Sequence, residues 1–342
     1  MRRCCLALWM WLLPCLALAQ GQDLYSGEVP VASQDEALRA EALSEALKQV
    51  LVKVSGDGGA AEQPALAEAL AKPDGLLQAF YYRQEVDRSG ATPRIQLYYV
   101  ASFDPRAVRG LLDRAGLAQW ARERPALVVW VAADLDGATR LLRDVEVQTL
   151  LRRGTERGLN LKTATLDADE QAAGRLADIE ARALGNLKMA AARYNAPGVL
   201  AGRLYRTADG VLGRFQLSDG ERDEGFEVRA TDASAALRDA ADRSADLLAQ
   251  RYAFAAADST PARVEIAVQG LRSATDFGRV LNYLRSLSVV QDLDLDGAEN
   301  DQLRASATVA GGEERLRQLV SLGEVLNVVG ASRDGVVVLQ LN

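Results

Sequence analysis

The chain is predicted to be a mixed α/β and α+β protein of several modules. It is expected to have a central parallel-type α/β sheet, flanking α+β units and a C-terminal ferredoxin-like split βαβ module. Three observations predict this. The continuous apolar run "ALVVWVAAD" at 126–134 suits a strand buried on both faces. After it, strand-period and helix-period segments alternate in the βαβαβ order that builds a parallel sheet. Past "AADSTPA" at 256–262, a linker by composition, the order strand, helix, strand, strand, helix, strands returns, which is the split βαβ pattern. At about 150 residues per domain, 342 residues agree with two to three domains. The boundaries read as a leader over 1–19, an N-terminal α+β domain over 20–122, a central α/β domain over 123–255 and the terminal module over 262–342.

The leader comes first. Met1-Arg2-Arg3 precedes an apolar run from Cys4 to Ala19. A positive start, an apolar middle and small residues at Ala17 and Ala19 predict a secretory signal peptide cut between Ala19 and Gln20. The run falls short of the roughly 20 residues a membrane-spanning helix needs, and Pro14 breaks it. A periplasmic protein without a transmembrane anchor is the expectation. Cleavage would remove Cys4, Cys5 and Cys15, so the exported chain would rest on its core rather than on disulfides. Losing Arg2 and Arg3 from 40 basic residues leaves 38 against 47 acidic ones, a net charge of −9. Such a chain repels nucleic acid and anionic lipid.

Residues 24–31, "LYSGEVPV", read as a strand. The next stretch has Ser33 and, three residues on, Glu36, the pattern of a capping box. Leu38, Leu43, Leu47, Val50, Leu51 and Val54 then fall near helical spacing, and Gly56 ends the helix. "FYYRQEV" (80–86) and "RIQLYYVASF" (94–103) read as paired strands. "DPRAVRGLLDRAG" (104–116) is a helix with Asp104 as cap and Pro105 in its first turn. In the central unit a helix over about 139–157 follows the strand at 126–134. The strand at 159–166 and a long helix over about 168–194, stopped by Asn195-Ala196-Pro197, come next. Strands at 198–205, 211–219 and 224–230 follow, and Asp232 caps an alanine-rich helix. The terminal module reads as strand 264–270, helix 275–287, strands 289–295 and 303–309, helix 312–322, and strands near 325–329 and 336–341.

Three stretches carry site-like patterns. "DLDLDGAEND" places Asp292, Asp294, Asp296 and Gly297 as a calcium loop would. The closing glutamate position is Leu303, however, and the following residues alternate as a strand does. A strand entering an acidic turn is the better reading, and no metal site is assigned. "SGDGGAA" (55–61) holds Gly56, Gly58 and Ala61 at dinucleotide-fingerprint spacing, but follows a helix rather than a strand; no cofactor is expected. "AADLDGATR" (132–140) lies at the carboxyl end of a central strand, where open α/β sheets form ligand crevices. Asp134, Asp136, Thr139 and Arg140 are the candidate residues there. The competing explanation is that Asp136 or Thr139 simply caps the next helix.

The chain has no histidine, so the usual base near neutral pH is missing. No Gly-x-Ser-x-Gly elbow, Ser-x-x-Lys or phosphate loop occurs. Paired-carboxylate hydrolysis remains.

"LYSGEVPVASQDEALRAEALSEALKQVLVKVSG" (24–56), with "FYYRQ" (80–84) and "LVVWVAAD" (127–134), resembles the family catalogued as domain of unknown function twenty-sixty-six, exported proteins of Gram-negative bacteria. The resemblance implies no reaction and no active-site residue. The expectation is a non-enzymatic periplasmic protein that binds or scaffolds an envelope partner. The alternative is a carboxylate-dependent hydrolase or small-ligand-binding protein using the crevice at Asp134 and Asp136.

Overall fold

The computed structural model describes residues 23–87, 94–135, 137–167, 175–299, 301–323, 325–329 and 335–342. The leader, with Ala17, Ala19 and Gln20, lies outside them, as does Asp136. Among the described residues no helix is long and apolar enough to cross a membrane.

The N-terminal part comprises β1 (Ser26–Val31), α1 (Glu36–Ser55), α2 (Ala67–Ala71), β2 (Leu77–Asp87), β3 (Arg94–Phe103) and α3 (Pro105–Arg114). The strands form an antiparallel sheet in the order β1-β3-β2. The apolar spacing of α1 puts Leu43, Leu47, Val50 and Leu51 into one core with Tyr99, Phe103 and Leu112. Helix and sheet meet closely at Gly27, where a Cβ would stand 2.3 Å from the Ala46 carbonyl oxygen. Gly56 ends α1 in the left-handed region, with φ 77 and its amide on Val52. Asp104 caps α3 by accepting from the Arg106 and Ala107 amides at 2.7 and 2.9 Å. The Ser33 capping box does not form. Asp35 takes the N-cap position, Ser33 hydrogen-bonds with Asp35, and Glu36 pairs with Arg39.

The central part holds β4 (Gln119–Trp120), β5 (Ala126–Asp134), β6 (Thr139–Leu141), α4 (Asp144–Glu156), β7 (Asn160–Thr163), α5 (Arg175–Glu180), α6 (Leu184–Ala191), β8 (Gly198–Thr207), β9 (Gly210–Ser218), β10 (Asp223–Ala230) and α7 (Ala233–Tyr252). The sheet order is β10-β9-β8-β5-β6, with β7 parallel to the start of β5 and β8 parallel to nearly its whole length. Strand alternation explains why β5 is apolar from Ala126 to Ala133. Leu127, Val129, Val131 and Ala133 face the core shared with α4 and α7. Val128, Trp130 and Ala132 face α5 and α6. Two expectations are corrected here. Residues 139–141 are not helical, because they fold back antiparallel onto 132–134 as β6. The predicted helix over 168–194 is interrupted between α5 and α6, where Arg182 takes φ 54; its residues 168–174 lie outside the described residues.

The last part comprises β11 (Ala253–Phe254), β12 (Pro261–Gln269), α8 (Ala274–Ser286), β13 (Val290–Glu299), β14 (Gln302–Ala310), α9 (Gly312–Ser321), β15 (Leu326–Val328) and β16 (Val336–Leu341). β11 pairs with β4, so the strands that lead into and out of the central part lie side by side. The sheet order is β13-β14-β12-β16-β15. The split βαβ is present, with β14 between β12 and β13. The ferredoxin-like pattern departs at one edge, where β16 enters parallel to β12 and displaces β15 outward. One hydrophobic core runs from Val131 and Leu248 of the central part into Val264, Leu284, Leu316 and Val337 of the last.

Candidate functional site

At the carboxyl end of β5, where a crevice is predicted, the polar side chains gather around a residue that sequence reading missed. Asp134 and Thr139 are cross-strand partners, and Arg203 of β8 reaches both. Its Nη2 donates to Thr139 Oγ1 at 2.9 Å and to Asp134 Oδ2 at 3.4 Å. Its Nη1 donates to Glu180 Oε1 at 3.1 Å, and its guanidinium lies 4.8 Å from the centre of the Tyr205 ring. Arg140 turns away and grips both Glu146 oxygens at 2.6 and 2.9 Å. That fork, with the Arg143 amide, pulls the Glu146 carboxyl down to about 2. Glu146 sits in the first turn of α4, where an acidic side chain also suits the helix dipole. The structure therefore brings Asp134 and Thr139 together and sends Arg140 elsewhere. Asp134 is committed to an ion pair.

The other patterned stretches are structural. Asp292, Asp294 and Asp296 ride on β13, where Leu293 packs on the core. Asp294 meets Arg263 at 3.3 Å and Asp296 accepts from Ser306 at 3.4 Å. Among the described residues no group of three or more metal-ligating side chains converges. In the Gly56–Ala61 loop the first carbonyl accepts from Arg157 Nη2 at 3.2 Å. The Asp57 carboxylate folds back onto the Gly59 amide at 2.9 Å, which holds the loop to itself.

A larger concavity lies where the three parts meet, a cleft of about 1330 Å³. Asp23, Tyr25, Arg109 and Asp113 contribute from the first part. Trp120, Arg122, Arg124 and Leu161 come from the stretch around β4 and from β7, and Phe254, Ser288 and Val289 from the last. Arg124 is the cleft's deeply buried cation, 7% exposed. It donates to the carbonyls of Ala121, Gly158 and Lys53 at 3.1, 2.5 and 2.6 Å, and its guanidinium lies 3.8 Å from the Trp120 ring centre. Burial, with carbonyls rather than a carboxylate at its donors, brings its pKa down to about 9. Lys53 behind it, also buried and donating to the Ser26 carbonyl, falls to about 8 for the same reason. Burial raises the Tyr25 hydroxyl, against the pull of the neighbouring Arg109. Arg122 and Glu123 clasp the turn between α8 and β13. Arg122 donates to the Ser286 carbonyl, and Glu123 accepts from the amide and hydroxyl of Ser288.

This cleft had a signal in the sequence. Residues 105–124 carry five arginines against Asp113 and Glu123, in a chain of net charge −7. The fold gathers three of those arginines, Arg109, Arg122 and Arg124, along the cleft.

Residues 19–121 match the family described as DUF8605, a domain of unknown function. No curated protein and no solved structure matches the chain. The resemblance drawn at 24–56 is thereby corrected: the matching family is a different domain of unknown function from twenty-sixty-six. The residues that suggested the resemblance make a strand and an alanine-rich helix packed at Gly27 and Ala46, and such packing residues do not separate one family from another.

Proposed function

We propose that this chain is a non-enzymatic binding protein of the bacterial envelope, exported by its leader, that holds a partner or ligand in the cleft where its three parts meet. The observation that supports this reading most is the chemistry of the walls. Arginine, tyrosine, tryptophan and serine side chains surround the opening. These are groups that recognise by charge, hydrogen bonding and apolar contact. The chain has no histidine, and its crevice carboxylate Asp134 is held by Arg203.

The test is photo-crosslinking in intact cells, with the reactive residue placed at Asn160 on the cleft rim or at exposed Met189 remote from it. A discrete adduct from Asn160 and none from Met189 is the expected outcome. Equal capture at both positions would remove the cleft from the account. Turnover of an envelope compound by the purified chain, abolished in Asp134→Ala, would replace binding with catalysis.

A further inference from the structure

Several arginines elsewhere meet carboxylates. Arg157 holds Asp242 and Asp246, Arg203 holds Asp134 and Glu180, and Arg251 holds Asp219 and Glu224. The cleft is built differently. Arg124 spends its donors on three carbonyls, and Arg109 lies beside the Tyr25 hydroxyl. Arg122 has Glu123 only at 3.9 Å, and that carboxylate is taken by Ser288. Carbonyls and hydroxyls satisfy hydrogen bonds without cancelling charge. Two acids also line the cleft, Asp23 and Asp113; Asp113 is engaged by the Gln119 amide. With Glu123 beside Arg122 and Lys53 behind Arg124 both counted, four basic groups stand against three acids in an otherwise acidic molecule, and a low-dielectric recess focuses the surplus on an entering anion.

The remaining lining mixes polar side chains such as Thr155, Asn160 and Ser288 with apolar ones. Trp120, Leu161, Phe254 and Val289 come from separate elements and surround the charged group. Trp120 and Val289 are already buried, but Leu161 and Phe254 are half-exposed; a small inorganic ion would leave those two wet, whereas a molecule with an apolar body would bury them.

We infer that the cleft binds an amphipathic anion, a carboxylate- or phosphate-headed molecule with an aliphatic or aromatic body, the head forked by Arg109 and Arg122 and the body lying against Leu161 and Phe254. This rests on the reading of the protein as a binder. Planar guanidinium forks match both kinds of head group in geometry.

The experiment titrates the exported chain with octyl phosphate, octanoate and octanol, each below its micelle-forming concentration, following tryptophan fluorescence. Trp120 lines the cleft, and Trp130 lies in a separate core. Saturable binding of at least one anion, with octanol bound at least tenfold more weakly, is expected. Arg109→Gln should weaken the anion at least tenfold and leave octanol unchanged. Should Arg109→Gln melt early, Arg122→Gln carries the same expectation on a side chain that is 60% exposed. Octanol binding as tightly as both anions, or no saturable binding of either, overturns the inference. If an anion binds and is recovered chemically altered, the site stands and the non-enzymatic reading falls.

Discussion

At Lys53, a charge is held under a cost that pH can relieve. The side chain is buried, and burial brings its pKa from the ordinary 10.5 to about 8. The folded chain therefore binds this proton less tightly than the unfolded chain does. Below pH 8 both states are protonated and the full penalty is present. Between pH 8 and 10.5 only the unfolded state keeps the proton, so stability contributed by this residue rises with pH. Urea unfolding of the native chain and of Lys53→Met, at pH 7.5 and 10.5, should show the native chain gaining roughly 3 kcal/mol relative to the variant. A parallel response in both proteins would mean that Lys53 is solvated. Sequence alone shows little of this. Lys53 stands between Val52 and Val54 near the end of α1, and its burial depends on β1 crossing the helix and offering the Ser26 carbonyl. Arg203 was missed for a similar reason. β8 reads as an apolar strand with an arginine near its end, and only the return of β6 puts a carboxylate and a hydroxyl together within that arginine's reach.

Elements were legible where one local interaction decides them. Asp104 and Asp232 cap their helices as expected, and the Asp232 carboxylate accepts from the Ala235 amide at 2.9 Å. Gly56 ends α1 because its φ of 77 is open to glycine at little strain. Elements decided by distant partners were not legible. The segment Thr139–Leu141 became strand because β5 offered an open edge, and the terminal hairpin placed β16, not β15, beside β12. The close approach of β1 and α1 gives a sharp test. Gly27→Ala sets a methyl group against backbone at Ala46, and overpacking of this kind costs about 1–3 kcal/mol. Gly75 has nothing within 4 Å of a Cβ, so Gly75→Ala should leave the urea midpoint within error. Equal midpoints for both variants would show that β1 gives way at no cost.

For the whole molecule, the question is how three parts stay in register around a cleft. The contacts are between residues far apart in sequence, and so were absent from any local pattern. Arg157, 2% exposed, binds Asp242 and Asp246 of α7 and the carbonyl of Gly56 at the end of α1. Glu123 holds Ser288. Gln318 Nε2 of the last part donates to the Arg251 carbonyl of α7 at 3.1 Å. Replacing Glu123 with alanine leaves the Ser288 amide to water, and we expect hydrogen exchange at 286–290 to quicken at least fivefold while the sheet of the first part is unchanged. Uniform quickening would point to global destabilisation instead of a released clasp.

The pairing of β4 with β11 has a topological meaning. Because the polypeptide departs for its middle third and comes back at the same two-rung ribbon, that third is a closed excursion from a corner shared by its neighbours. Growth or shrinkage of the excursion, by insertion or loss at its outer loops, would leave the jaws on either side of the corner where they stand.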